Sequence, residues 1–167
     1  MAENNMLDII KKAILLEHRG KALYESVTQE TEVAAVKELF EMLATEEEKH
    51  IETLNKQFKL VSKGKDFDTG ELDKVESTTA KTVLSREIVK GISAAGYEAA
   101  VISAALEFEK NAVKYYGDQE AAAGSPEEKK LFDWLVKWET EHMTMLAKID
   151  DDLKEQIWYD NSFWPLD

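Results

Sequence analysis

Residues 40–54, Phe-Glu-Met-Leu-Ala-Thr-Glu-Glu-Glu-Lys-His-Ile-Glu-Thr-Leu, and residues 132–146, Phe-Asp-Trp-Leu-Val-Lys-Trp-Glu-Thr-Glu-His-Met-Thr-Met-Leu, decide how this chain is read. Each carries a Glu-x-x-His unit, Glu47 with His50 and Glu139 with His142, among apolar residues that recur every three or four positions. On an α-helix, residues three apart are about 60° apart around the axis and about 4.5 Å along it, so each unit projects two ligand-type side chains from one face. The stretches align without a gap at an offset of 92 residues, and the same offset pairs Glu17 with Glu109 and Tyr24 with Tyr116. Any two amphipathic helices match at apolar positions. The histidines carry more weight, because the chain has only three and two of them fall at equivalent places. The pattern reads as a duplicated helical hairpin.

Working outward, Ile10, Ile14, Tyr24 and Val27 form a helical stripe over about 6–30, behind Asn5 as an N-cap with Asp8 three residues on. Val36, Phe40, Leu43, Ile51, Leu54 and Phe58 predict a second helix over about 32–60. Residues 61–78 lose the periodicity and carry turn formers, so they read as a crossover. Val83, Leu84, Ile88, Val89 and Ile92 suggest a short helix within it, and Gly91 and Gly96 mark breaks before a third long helix over about 97–123. Gly124 stops that helix. Ser125-Pro126-Glu127-Glu128 then supplies an N-cap, a first-turn proline and a capping-box Glu for a fourth helix over about 126–153. The expected fold is an all-α four-helix bundle of residues 1–153, with a long crossover between its second and third helices. The aromatic residues 154–167, with Trp158, Tyr159, Phe163 and Trp164, are expected to pack on the bundle or on a dimer mate.

Composition narrows the possible functions. A chain of 167 residues with 44% hydrophobic content can bury one core without crosslinks. The absence of cysteine excludes disulfides, thiolate metal sites, iron–sulfur clusters and thiol nucleophiles within it. A net charge of −13 disfavours nucleic acid and anionic membrane surfaces as partners. Lys11 and Lys12 interrupt the first apolar stretch, so neither a secretory leader nor a membrane span is expected, and the expected location is cytoplasmic.

Glu17, Glu47, Glu109 and Glu139 all sit on apolar stripes. Ile10, Ile14, Gly20 and Tyr24 flank Glu17 at helical spacing, and Ile102, Leu106, Val113 and Tyr116 flank Glu109. Four carboxylates in one apolar interior must be protonated, paired with cations or bound to metal, since each unpaired charge costs several kcal/mol even after relaxation. No Lys or Arg lies on those stripes near them. Two Glu-x-x-His units plus one carboxylate from each of two further helices match the template of ferritin-like di-metal carboxylate proteins. Glu17, Glu47, His50, Glu109, Glu139 and His142 are therefore the candidate metal ligands, for iron by preference, with manganese or zinc also compatible. Glu46, Glu48 and Glu141, one or two residues from ligands, are read as surface groups, and Glu107 and His18 are turned off the core face. Tyr24 and Tyr116 lie seven residues beyond Glu17 and Glu109, where their hydroxyls can reach a ligating carboxylate or relay an electron or proton.

At Leu16-Glu17 through Tyr24, Glu47-x-x-His50, Glu109 through Tyr115-Tyr116 and Glu139-x-x-His142, the chain resembles the rubrerythrin branch of the ferritin-like superfamily, over about residues 6–153. The resemblance implies a di-iron centre that reduces hydrogen peroxide, often within a homodimer, and the expected activity is reduction of peroxide or dioxygen. It implies bridging or terminal roles for Glu17 and Glu109, and terminal sets of Glu47 with His50 and Glu139 with His142. With Tyr24 and Tyr116, Glu17 and Glu109 are the residues expected to take part in catalysis. Familiar rubrerythrins carry a cysteine-ligated rubredoxin domain, which this cysteine-free chain lacks, so an external electron-donor protein is expected. They also carry a further site Glu where this chain has Ala112. The resulting symmetric set is similar to a bacterioferritin ferroxidase centre, which implies iron oxidation and handling as the alternative activity. A third reading is a non-catalytic metal-bearing module that binds a partner through its aromatic C-terminal segment.

Overall fold

A computed structural model describes residues 2–75, 77, 85–93 and 96–159. Helix α1 spans Ala2–Glu30, α2 Ala34–Val61, α3 Ser85–Gly91, α4 Tyr97–Ala122 and α5 Pro126–Tyr159, with a 3₁₀ turn at Leu72–Lys74. No strand occurs among the described residues. The chain is an all-α bundle in which α1 packs chiefly on α2 and α4 on α5, two hairpins joined by the crossover that holds α3. The third hydrophobic stretch of the sequence thus becomes a short strut against α5 and α2, burying Ile88, Val89 and Ile92; Val83 and Leu84 lie outside the described residues.

The helix ends follow local chemistry. Ser125 Oγ accepts the backbone N–H of Glu128 at 3.1 Å, and the Glu128 carboxylate reaches back to the N–H of Gly124 at 2.8 Å. This is the anticipated capping arrangement, with the return bond made one residue earlier than in the usual box. Asn5 is not a cap, because α1 already runs through it from Ala2; Asp8 instead pairs with Lys11 on the helix surface at 3.3 Å. Helix α5 likewise continues past 153 to Tyr159, so residues 154–159 extend the helix, with Trp158 and Tyr159 72% and 84% exposed. Residues 160–167 of the expected aromatic extension lie outside the described residues.

The crossover is tied down by one side chain. Buried Gln57 donates from Nε2 to the Asp68 carbonyl at 2.7 Å and accepts the Asp68 N–H through Oε1 at 2.9 Å, standing in for a strand partner. Leu72 then enters the core and Gly64 makes the turn at φ 66°, a conformation that favours glycine.

Two apolar clusters fill the interior. One includes Tyr24, Phe40, Leu43, Leu106 and Leu146; the other includes Ala13, Leu54, Ala112, Tyr116, Phe132 and Leu135. Residues paired by the 92-residue offset fall in opposite clusters: Tyr24 and Tyr116, Phe40 and Phe132, Leu43 and Leu135, Leu54 and Leu146. The duplication is therefore a structural pseudo-two-fold that exchanges the clusters. Along each long helix the passage from one cluster to the other occurs at a buried glutamate: Glu17, Glu47, Glu109 and Glu139.

Candidate metal centre

Each of these four glutamates comes from a different long helix, and His50 and His142 lie one helical turn beyond Glu47 and Glu139. All six side chains are buried, at 2% exposure or less. Ligand-type atoms of Glu17, Glu47, His50 and Glu139 lie within 4.8 Å of one another, and so do those of Glu47, Glu109, Glu139 and His142. Glu47 and Glu139 belong to both groups. His50 Nδ1 is 3.0 Å from Glu17 and 3.0 Å from Glu139; His142 Nδ1 is 3.4 Å from Glu109 and 3.6 Å from both Glu47 and Glu139. The imidazole rings face each other at 6.0 Å between centroids, 26° from parallel. The structure thus brings together all six residues that the sequence pattern singled out.

Charge in this interior is shared among close neighbours. Burial, then the adjacent Glu139 carboxylate, raises Glu109 to about 8, and burial, Glu139 and Glu17 raise Glu47 well above the usual carboxylate range. Burial opposes charge on His50, but Glu139 and Glu17 prevail and raise it to about 10; Glu109 and its neighbours likewise hold His142 well above the usual range despite burial. Burial also opposes charge on Glu139, yet His50 and His142 keep it well below its ordinary value. In the metal-free interior, protons are thus shared among these carboxyls and imidazoles.

Several polar atoms here have no hydrogen-bond partner: Glu47 Oε1, Glu109 Oε2, Glu139 Oε1 and His142 Nδ1. Buried polar groups are rarely left so, and convergent orphan lone pairs on carboxylates and an imidazole are what a pair of cations would satisfy. Four carboxylates also balance the charge of two divalent ions when both imidazoles are neutral. The residues fit such a pair.

The tyrosines close the site across the bundle. The Tyr24 hydroxyl donates to Glu109 and the Tyr116 hydroxyl to Glu17, so each phenol of one hairpin holds the carboxylate of the other. Gly20 makes room nearby, since a Cβ there would stand 2.8 Å from the Phe108 ring and 3.5 Å from the Glu47 carboxyl carbon. Ala112 is buried in the apolar cluster, so its position adds no ligand.

A family model for rubrerythrin matches residues 8–150. The chain belongs to the rubrerythrin family. Rubrerythrins are di-iron proteins, and the two buried Glu/His groups are compatible with such a centre. No curated protein and no solved structure gives a significant match. Among the described residues, no helix of this rubrerythrin-family chain is long and apolar enough to cross a membrane.

Glu46 corrects one expectation. Placed one residue before Glu47, it reads as a surface group; instead it is fully buried and accepts from His142 Nε2 at 2.7 Å, with Ser77 Oγ of the crossover 3.5 Å from its other oxygen. On an isolated helix its face would be solvated, but α5 and the crossover cover that side of α2. Glu141, Glu107 and His18 are exposed as expected, and Glu48 is half-buried and paired with Lys21. Sequence reasoning also missed Trp134 and Trp138, which pack edge-on against His50 at 5.4 and 4.9 Å between centroids. Large apolar rings suit any helical interior, and nothing local to them in the sequence signals the imidazole.

Proposed function

We propose that this chain binds two iron ions and uses them to reduce hydrogen peroxide or dioxygen with electrons from an external donor protein. In this reading Glu47 and Glu139 would help to hold both ions, Glu17 and His50 would hold one of them, and Glu109 and His142 the other. The observation that carries it is the membership of Glu47 and Glu139 in both ligand groups. It revises the roles implied by the resemblance, in which those two glutamates fell in separate terminal sets. Iron, rather than a redox-inactive ion, supplies the electron change that a reduction of peroxide requires.

The protein's own groups have defined tasks. The bundle core excludes bulk water, the four carboxylates would neutralise the cations, and Tyr24 and Tyr116 fix the outer carboxylates while offering phenolic protons at the site. The test is anaerobic peroxide consumption by the iron-loaded, reduced protein against the Glu109→Ala variant. Peroxide reduction is supported if the wild type is faster by at least a factor of about 10, the lower end of what outer-sphere changes alone produce. Equal rates would overturn it.

A second reading is favoured by one observation, the matched pair of four-residue groups with Ala112 in place of a further carboxylate. Such a symmetric set suits oxidation of ferrous iron followed by release or storage. Continued turnover in excess Fe(II) distinguishes it from peroxide reduction. Cytoplasmic location and a homodimer complete the proposal, the homodimer resting on the exposed Trp158 and Tyr159.

A further inference from the structure

The pseudo-two-fold that relates every candidate ligand breaks directly behind the histidines. Glu46 and Trp138 are equivalent under the 92-residue offset, each immediately preceding the glutamate of a Glu-x-x-His unit and each reaching the histidine of the opposite hairpin. Glu46 accepts from His142 Nε2 at 2.7 Å. Trp138 instead lays its ring against His50 at 4.9 Å and 77°, with Trp134 beside it, and His50 Nε2 has no hydrogen-bond partner. Trp134 also departs from the repeat, since its counterpart is Met42.

This difference acts on ligand strength. A carboxylate accepting from Nε2–H fixes that tautomer, leaves the Nδ1 lone pair facing the site and makes the imidazole a stronger donor. Edge-on indoles do none of this; they hold the ring in place and keep the surroundings apolar. We propose that the two metal subsites are inequivalent, the Glu46-backed His142 subsite binding a divalent ion tightly and the indole-flanked His50 subsite binding the one that loads and exchanges. The proposal rests on the metal-centre reading above and adds Glu46 as the positioning residue that creates the difference.

Calorimetric titration of metal-free protein with Co(II) separates the two ideas. The wild type is expected to show two binding steps whose affinities differ at least about 10-fold, within the range that loss of such a partner produces. His50→Ala, which keeps the Glu46-backed subsite, is expected to bind one ion at least about 10-fold more tightly than His142→Ala. Glu46→Gln keeps the shape and removes the charge. Added to His50→Ala, it is expected to erase that advantage, and added to His142→Ala, to change little. Circular dichroism of each variant confirms that the bundle is intact, and a general loss of packing would weaken both subsites alike. Two equal steps in the wild type, or an equal effect of Glu46→Gln on both single-site variants, would overturn the inequivalence while leaving the metal centre standing. No binding by the wild type would overturn both.

Discussion

Tyr24 of α1 donates its hydroxyl hydrogen to the buried carboxylate of Glu109 on α4, linking two helices that otherwise touch little. The Tyr24 ring meets Phe40 and Phe108, so the phenol is held by packing before it meets the carboxylate. Removing the hydroxyl leaves a buried carboxyl short of a donor, which costs about 1–3 kcal/mol. Tyr24→Phe is therefore expected to lower the stability of the metal-free protein by that amount. Tyr115→Phe serves as comparison, because Tyr115 is half-buried and bonds only the Ile9 carbonyl at 3.2 Å; it should cost less. Urea unfolding of both variants checks the order, and equal losses would contradict it.

Stability of the metal-free protein should fall as pH rises from about 6 to about 9. Glu109 is raised from 4.5 to about 8, so its contribution is fully present below 4.5 and lost as pH rises through 8. His50 is raised from 6.5 to about 10, and its contribution is fully present below 6.5 and fades toward 10. Glu139 is shifted the other way; its contribution is present above 4.5 and lost only in acid, so it is constant across this window. Bound metal displaces those protons, and the loaded protein should lose the slope or reverse it. Melting temperatures at pH 6 and pH 9, with chelator and with Co(II), check this. A metal-free protein that melts higher at pH 9 would contradict the shared-proton account.

Gly20→Ala should destabilise even though alanine favours helices by about 1 kcal/mol over glycine. The new Cβ would stand 2.8 Å from the Phe108 ring, which must move, and that ring packs edge-on against Tyr24. Overpacking of this kind costs about 1–3 kcal/mol, so a net loss is expected in thermal unfolding. A gain in stability would show that Phe108 yields freely.

The bundle and its six converging side chains were legible because period and repeat act together. Helical stripes expose buried glutamates as misfits, and the 92-residue offset selects Glu109 over Glu107. What was not legible depends on which face a neighbouring element covers. Glu46 is polar and one residue from a ligand, and only the approach of α5 and the crossover turns its position into an interior one. The helix starts and ends missed for a similar reason: the start of α1 and the last six residues of α5 continue helical geometry with no breaker to stop them.

Gln57 offers a test of the crossover by itself. Gln57→Ala removes both bonds to Asp68 and should cost about 1–3 kcal/mol for backbone groups left unpaired. Because the bonds join a loop to one helix, the loss should appear as faster proteolysis or amide exchange across residues 61–75, with the bundle helices still protected. Uniform loss of protection would contradict a local clasp.

The most direct test of the central claim is the iron content of four single variants loaded under identical anaerobic conditions. Glu47 and Glu139 belong to both ligand groups, and Glu17 and Glu109 to one each. The account predicts two ions in the wild type, at least one retained in Glu17→Ala and Glu109→Ala, and none held stably in Glu47→Ala and Glu139→Ala. Two ions retained after loss of Glu47 or Glu139 would contradict a centre in which those carboxylates serve both ions.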